Sequence, residues 1–506
     1  MNDAALKQAI RDGLWQVAKR HPFVLSATLA GSFVDAPSLE GISDIDFIVV
    51  VDRLDHNRFT NLISDCESEL RPVLLEAGYS LRINPTLGPL KFNEPKLAVL
   101  HLMLYSRAAH VDHVINSPFT CLDWQRSVTF CKQSLAQVYP VFRLQPRHFF
   151  GGRRGARDYL RDLRAGVISY RELICTEEDY REQAQHKPMN TRDRHEFAYH
   201  IMRFLMQNLL KLLGRENSTL SRECLIETFF RHFPEGASEF GPLFTELAAK
   251  KLAGDFREEV SDLLPRLESF VLAFETQFRH VFENTATRHI VFRHAATPQN
   301  TGAGGQCIFQ GRIDPEPIFP GESILAPLAE AVRTLSPQVA YCSPLVRSRR
   351  SLEWLGQVVN LPKVRSVPDL SEIDYGAVDG RTVSQAWAKY PDLFEAWSRG
   401  EDPHFPGGEN TSDVLARVRT FVRDHWESGP PGVCCSHNVF LRCLVGSTLG
   451  VPRQDWHRLR IPHLAPLTFV QTREYGLFLD LDPVVERALF TAWANAPLAP
   501  VNRGAA

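Results

Sequence analysis

Ile290-Val291-Phe292-Arg293-His294-Ala295-Ala296-Thr297 is the stretch on which the reading of the C-terminal fold turns. An apolar, β-favouring run stops abruptly on a basic pair, the pattern of a buried strand that ends at a loop. Working outward, Gly311-Arg312-Ile313-Asp314 follows, and then Cys342-Ser343-Pro344-Leu345-Val346-Arg347-Ser348-Arg349. Further on stand Leu370-Ser371-Glu372-Ile373-Asp374-Tyr375-Gly376, Pro406-Gly407-Gly408-Glu409 and Cys435-Ser436-His437. Short apolar runs at 289–292, 338–342, 433–435 and 467–470 alternate with helical segments at 323–334, 346–357 and 411–427. That alternation predicts an α/β domain over 288–482 with a mostly parallel sheet.

One histidine after a strand is usually structural, and Ser-Pro-Leu-x-Arg by itself means only a helix start with proline near N1. Five further matches in order behind it are a different matter. Together they resemble the histidine phosphatase superfamily, in its phosphoglycerate mutase-like branch. The resemblance implies a three-layer α/β domain that hydrolyses phosphomonoesters. A neutral His294 would attack phosphorus and carry the phosphoryl group. Arg293, Arg347 and His437 would surround its oxygens. Glu372 would give a proton to the leaving oxygen and then activate water. No cofactor is implied for this site. The chain departs from the family at Ala295 and Asn438, where glycine is usual, both small or αL-tolerant enough to keep the loops. The Gly- and Pro-rich insertion 297–322 has the composition of a lid.

A second signature lies near the N-terminus. Gly31-Ser32 precedes Ser43-Asp44-Ile45-Asp46, which runs into Phe47-Ile48-Val49-Val50-Val51 after a turn-like Gly41-Ile42-Ser43. Two residues apart on a strand, Asp44 and Asp46 face one side, where paired carboxylates can hold Mg²⁺ against substrate phosphates. A lone Asp-x-Asp is usually a solvated turn. The Gly-Ser a dozen residues upstream shifts the balance, and the combination resembles the polymerase-β-like nucleotidyltransferase superfamily over residues 20–115. It implies an α+β domain transferring NMP from an NTP, with Mg²⁺ on Asp44 and Asp46 and the triphosphate at Gly31 and Ser32. The superfamily's third carboxylate is missing from the strand candidate Leu97–Tyr105, where His101 takes its place as a possible metal-site residue. Glu94 and Asp112 are weaker alternatives.

The 506 residues exceed one ordinary core. Three regions are expected: a nucleotidyltransferase domain over 1–145, an all-α bundle over 156–284 and the phosphatase domain over 288–482. Gly151 to Gly155 reads as a linker, and the Ala- and Pro-rich last twenty or so residues as a fraying tail. In the bundle, Phe197, Ile201, Phe204, Leu205, Asn208, Leu209 and Leu212 keep helical spacing before Gly214. The nearby Arg194-His195 and His200 faintly resemble the ribonuclease motif of HEPN domains and are read as a polar helix face. A 44% hydrophobic and 23% charged composition is that of a soluble globular protein. The net charge of −2 argues against a nucleic-acid partner. Met1 to Arg20 reads as an amphipathic helix rather than a signal peptide. No run approaches the roughly 20 apolar residues of a membrane span. Ten scattered cysteines without a CxxC pair suggest reduced thiols and a cytoplasmic location.

The function expected is bifunctional: nucleotidyl transfer to a small-molecule acceptor, and phosphate removal from a phosphorylated metabolite. The alternative is a regulatory enzyme that nucleotidylylates protein, with the phosphatase opposing or gating it.

Overall fold

The computed structural model describes residues 2–35, 44–90, 92, 94–151, 156–175, 180–215, 222–301 and 307–495. The Gly41-Ile42-Ser43 turn, most of the 151–155 linker, residues 302–306 of the insertion and the tail beyond 495 lie outside them. The chain divides into two compact units. The first comprises Met1–Leu144, His148–Glu275 and Trp493–Ala506; the second comprises Gln145–Arg147 and Thr276–Ala492. At the boundary expected near 145–156, Gln145–Arg147 group with the second unit and the chain on either side with the first.

In the first unit the strands are β1 (Val24–Ala30), β2 (Ile45–Val51), β3 (Ser80–Asn84), β4 (Thr86–Leu87), β5 (Leu97–Ser106), β6 (Phe130–Lys132), β7 (Val167–Cys175) and β8 (Tyr180–Pro188). Five form one sheet in the order β3-β5-β2-β1-β6. β2 runs antiparallel to β1 and parallel to β5. A strand paired on both sides and covered on both faces needs a nearly continuous apolar sequence, which Phe47 to Val51 supplies. The amphipathic helix Asp3–Arg20 and the helix His56–Glu76 cover one face, through Leu6, Ile10 and Leu14 and through Cys66, Leu70 and Leu74.

The region 156–284 is not all helical. Its first helix, Ala156–Ala165, is followed by β7 and β8, which pair as an antiparallel hairpin beside β4. β8 is rich in Glu, Gln, Ala and Lys, which favour helix locally; cross-strand pairing overrides that weak preference. Val167, Ile168, Tyr170 and Ile174 were the β signal available. The helices Thr191–Leu212, Arg222–His232 and Leu263–Arg279 do form, and Gly214 closes the first at φ +64°.

The second unit carries β9 (Thr287–Arg293), β10 (Val339–Cys342), β11 (Val364–Ser366), β12 (Gly432–Ser436), β13 (Leu467–Thr472) and β14 (Gly476–Leu479). Their order is β11-β10-β12-β9-β13-β14. The first four are parallel, while β13 pairs antiparallel with β9 and β14. The helices Glu322–Leu335, Val346–Val358 and Thr411–His425 match the expected segments closely. Among the described residues no helix is long and apolar enough to cross a membrane.

Candidate functional sites

Strand register assembles the C-terminal site. β9 and β12 are parallel neighbours with Arg293 opposite Ser436. The next residue of each chain is therefore a histidine at the same sheet edge, and the rings of His294 and His437 lie 5.0 Å apart. The His294 N–H donates to the Ser436 carbonyl at 3.1 Å, tying the two loops. β10 ends level with β12, at Cys342 opposite Cys435, and leads into the helix that carries Arg347 in its first turn.

Arg347 is 1% exposed and binds the loop before its helix. Its guanidinium donates to the carbonyls of Gly311 at 2.9 Å and Ile313 at 2.8 Å, and to Asp314 at 3.2 Å. Asp314 also accepts the Val346 N–H at 2.6 Å, a carboxylate placed at a helix N-terminus. Gly311 has no room for a side chain, since a Cβ would stand 2.5 Å from the Ile373 carbonyl. Glu372 accepts the Val439 N–H at 3.0 Å, at the start of the helix Asn438–Leu449. Its loop is braced by Arg417, which grips Glu409 at 2.8 and 2.9 Å and donates to the Asp369 and Ser371 carbonyls. Glu409 in turn accepts the Asp374 N–H at 2.9 Å.

The five expected residues, Arg293, His294, Arg347, Glu372 and His437, thus come together. Three others stand among them unforeseen. His463 donates from Nδ1 to the His294 carbonyl at 2.6 Å, its ring 5.5 Å from that of His294. Arg442 donates to the Leu459 carbonyl, and its charge is felt by Arg293. Buried Gln310 accepts from Thr297 at 3.0 Å. Arg442 follows His437 by little more than one helical turn, a spacing that was readable; His463 hangs from a late loop and gave no signal. Neither Ala295 nor Asn438 adopts a positive φ, so the departures from glycine cost the loops nothing. Ala295 is anchored instead through its N–H to Ser351 Oγ at 2.8 Å. The described part of the 297–322 insertion packs around Arg347 and pairs with the Arg381–Thr382 segment.

The electrostatics keep the imidazoles of the site neutral. Burial, then the charges of Arg293 and Arg347, push His294 well below the ordinary imidazole pKa. Burial, then Arg347 and His294, do the same to His437. His294 Nδ1 faces the Ala295 carbonyl at 2.7 Å and must carry its proton there, which leaves the lone pair on Nε2. Burial brings Arg293 down to about 10, still charged at neutral pH. His463 and His289 are pushed down to about 4 and about 3, chiefly by burial. These four imidazoles have a thermodynamic consequence. As pH falls through about 6.5 the unfolded chain takes up protons that the folded chain refuses, so stability is lost towards acid. The slope approaches ~1.4 kcal/mol per pH unit for each such group. Calorimetry between pH 7 and 5 is expected to show a steadily falling melting temperature for this unit. A stability that stayed flat over that range would mean the rings are protonated in the fold.

A family model described as the histidine phosphatase superfamily (branch 1) matches residues 289–481. Phosphoserine phosphatase 1 of Hydrogenobacter thermophilus is 31% identical over 169 residues, 32% of this chain and 76% of that protein. The chain belongs to the histidine phosphatase superfamily. A 2,3-bisphosphoglycerate-dependent phosphoglycerate mutase of Azorhizobium caulinodans is 32% identical over 31% of this chain and 78% of its own length. A solved mycobacterial glucosyl-3-phosphoglycerate phosphatase is 26% identical, with a TM-score of 0.33 over 39% of this chain and 98% of its own. The histidine phosphatase match, residues 289–481, lies within the second unit.

In the first unit Gly31 adopts φ +72° before the short helix Ser32–Asp35. A Cβ on Gly31 would lie 2.5 Å from Asp46 Oδ2, so the turn is packed directly on that carboxylate. The parallel register sets Asp46 opposite His101. Both His101 nitrogens meet acceptors: Nδ1 meets Asp46 at 3.1 Å and Nε2 meets the Thr86 carbonyl at 2.9 Å. Burial opposes a charge on this ring, but the Asp46 hydrogen bond and charge, Thr86 and the Asp44 charge outweigh it and raise its pKa. An imidazole that donates from both nitrogens has no lone pair for a metal. Glu94 points to Arg82 at 3.8 Å, and neither it nor Asp112 lines the cavity at Asp46. Among the described residues no three His, Cys, Asp or Glu side chains are grouped to hold a metal ion. As arranged, Asp44, Asp46 and His101 do not fit the expected Mg²⁺ centre. His101, expected as a metal-site residue, is hydrogen-bonded to Asp46 and to the Thr86 carbonyl.

Proposed function

We propose that the second unit hydrolyses phosphomonoesters through a phosphohistidine at His294. The observation that carries this is a set of buried polar atoms with no hydrogen-bond partner among the described residues: both His437 nitrogens, of which the neutral ring protonates one, and the N–H donors Arg293 Nε and Arg347 Nε. Buried donors left alone are costly unless a ligand completes them, and this set, gathered at a neutral nucleophile, calls for a phosphoryl group. His294 Nε2 attacks phosphorus as the ester P–O bond breaks, and the leaving oxygen takes the proton of Glu372. Glu372 then removes a proton from water, whose oxygen attacks phosphorus as the P–N bond breaks, releasing inorganic phosphate and restoring both groups. The guanidinium groups hold the oxygens throughout. A panel of phosphomonoesters, assayed for inorganic phosphate and for isomerised product, tests the reading; isomerisation without phosphate release would replace hydrolysis by mutase chemistry. Phosphorylated metabolites are the substrate class, as the names of the relatives suggest.

For the first unit we propose nucleotide binding at the Gly31–Asp46 turn. The packed glycine turn and the strand order support it, together with the motif resemblance. Nucleotide binding alone is proposed, because the residues as arranged do not fit the metal centre. Four α-³²P-labelled NTPs with Mg²⁺, a metabolite extract and Asp46→Asn as control test the point. Retained nucleotide that is lost in Asp46→Asn is expected, with phosphatase activity unchanged. Asp46-dependent label in a small molecule would establish metabolic transfer; label on protein would establish the regulatory alternative.

A further inference from the structure

The cavity of the first unit, about 520 Å³, has a second wall besides Gly31, Asp46 and His101. At about 100° per residue, the helix Thr191–Leu212 sets Asp193, Glu196, His200, Arg203, Gln207 and Lys211 on one narrow arc. All six line the cavity, flanked by Asn208. A polar helix face ordinarily meets open water; this one meets a cavity.

The hydrogen bonds of this wall show what it lacks. Asp193 accepts the Asn190 N–H at 3.1 Å as part of a capping box. Glu196 binds Arg192 at 2.8 Å, and Lys211 binds Asp123 at 2.7 Å. Arg203 has no hydrogen bond or ion pair among the described residues. Asn208 is 2% exposed, and its Nδ2 finds no partner there. The acids are thus committed, and the uncommitted side chains, exposed Arg203, Gln207 and buried Asn208, all carry N–H donors. Across the cavity Tyr105, His113 and Trp124 form a stacked wall, with centroid spacings of 5.1 and 5.3 Å. The buried Asn208 donor favours a ligand with acceptor oxygens, the free guanidinium fork beside it matches a phosphate, and an aromatic wall offers a face to a ring.

We infer that this cavity binds a ring-bearing phosphate ester, its anionic oxygens held by Arg203 and Asn208 rather than by a divalent metal. The inference uses the ligand cavity of the proposed nucleotide-binding unit but no transfer step, and it is read by equilibrium binding alone. The full chain carrying His294→Ala, which cannot consume the probes, is titrated calorimetrically in EDTA with AMP, glucose 1-phosphate and inorganic phosphate. At least one ester is expected to occupy a site that inorganic phosphate does not, with affinity at least 10-fold weaker in both Arg203→Gln and Asn208→Leu. Asn208→Leu is expected to melt no lower than its parent, because it removes an unpaired buried donor. Binding of AMP alone identifies a nucleotide, and binding of glucose 1-phosphate alone a sugar phosphate. Absence of an ester-specific site, affinities unchanged in both variants, or a requirement for Mg²⁺ overturns the inference. A failed nucleotidyl-transfer assay leaves it standing.

Discussion

His294→Ala is expected to lower kcat/KM for phosphomonoesters by at least ~10³-fold, because no other group replaces a covalent nucleophile. The fold is expected to survive. His294 makes one side-chain hydrogen bond, to the carbonyl of its neighbour, and alanine leaves its main-chain bond to Ser436 intact. The decisive readout is the intermediate. Brief mixing with a ³²P-labelled substrate and a rapid quench should trap an acid-labile, alkali-stable phosphoprotein in the parent and none in the variant. Residual turnover near the parent rate would move the nucleophile elsewhere, and His463, 5.5 Å away, would be the next suspect.

Arg347→Ala is expected to damage both stability and rate. In the fold this guanidinium satisfies the Gly311 and Ile313 carbonyls and pairs with Asp314. Truncation strands those acceptors in the interior, at a cost of about 3–5 kcal/mol. It also removes a positive group from beside the transferring phosphoryl, a loss on the order of 10²–10⁴ in kcat/KM. Urea unfolding separates the first effect from the second when rates are taken well below the midpoint. Arg347→Lys should recover charge and part of the stability but little of the rate, since one ammonium cannot span several acceptors and a phosphate at once. A lysine variant with parental kcat/KM would show that charge alone matters at this position.

The C-terminal fold was legible from short-range pattern. A parallel α/β sheet writes each buried strand as an apolar run and each covering helix as a periodic one, and the runs at 289–292, 433–435 and 467–470 became β9, β12 and β13. Its charged residues lie at strand ends and helix starts, so their order along the chain survives as order around the site. His463 was illegible because its role comes from a loop folded back on the His294 carbonyl. The β7–β8 hairpin was misread as helix because its second strand has helix-favouring residues and gains its conformation only by pairing.

The N-terminal unit divides along the same line. Sequence by itself determined the glycine turn, the Asp44–Asp46 spacing, the apolar β2 strand and the presence of His101 in place of a carboxylate. It also determined the order of Arg293, His294 and Arg347, the residues proposed to act at the second site. Only the tertiary structure decided that both nitrogens of His101 are spent on Asp46 and Thr86, and that the polar face of Thr191–Leu212 borders a cavity with unpaired donors. Spacing along a chain fixes which face a side chain leaves from. Which acceptor it meets depends on the register and packing of segments distant in sequence.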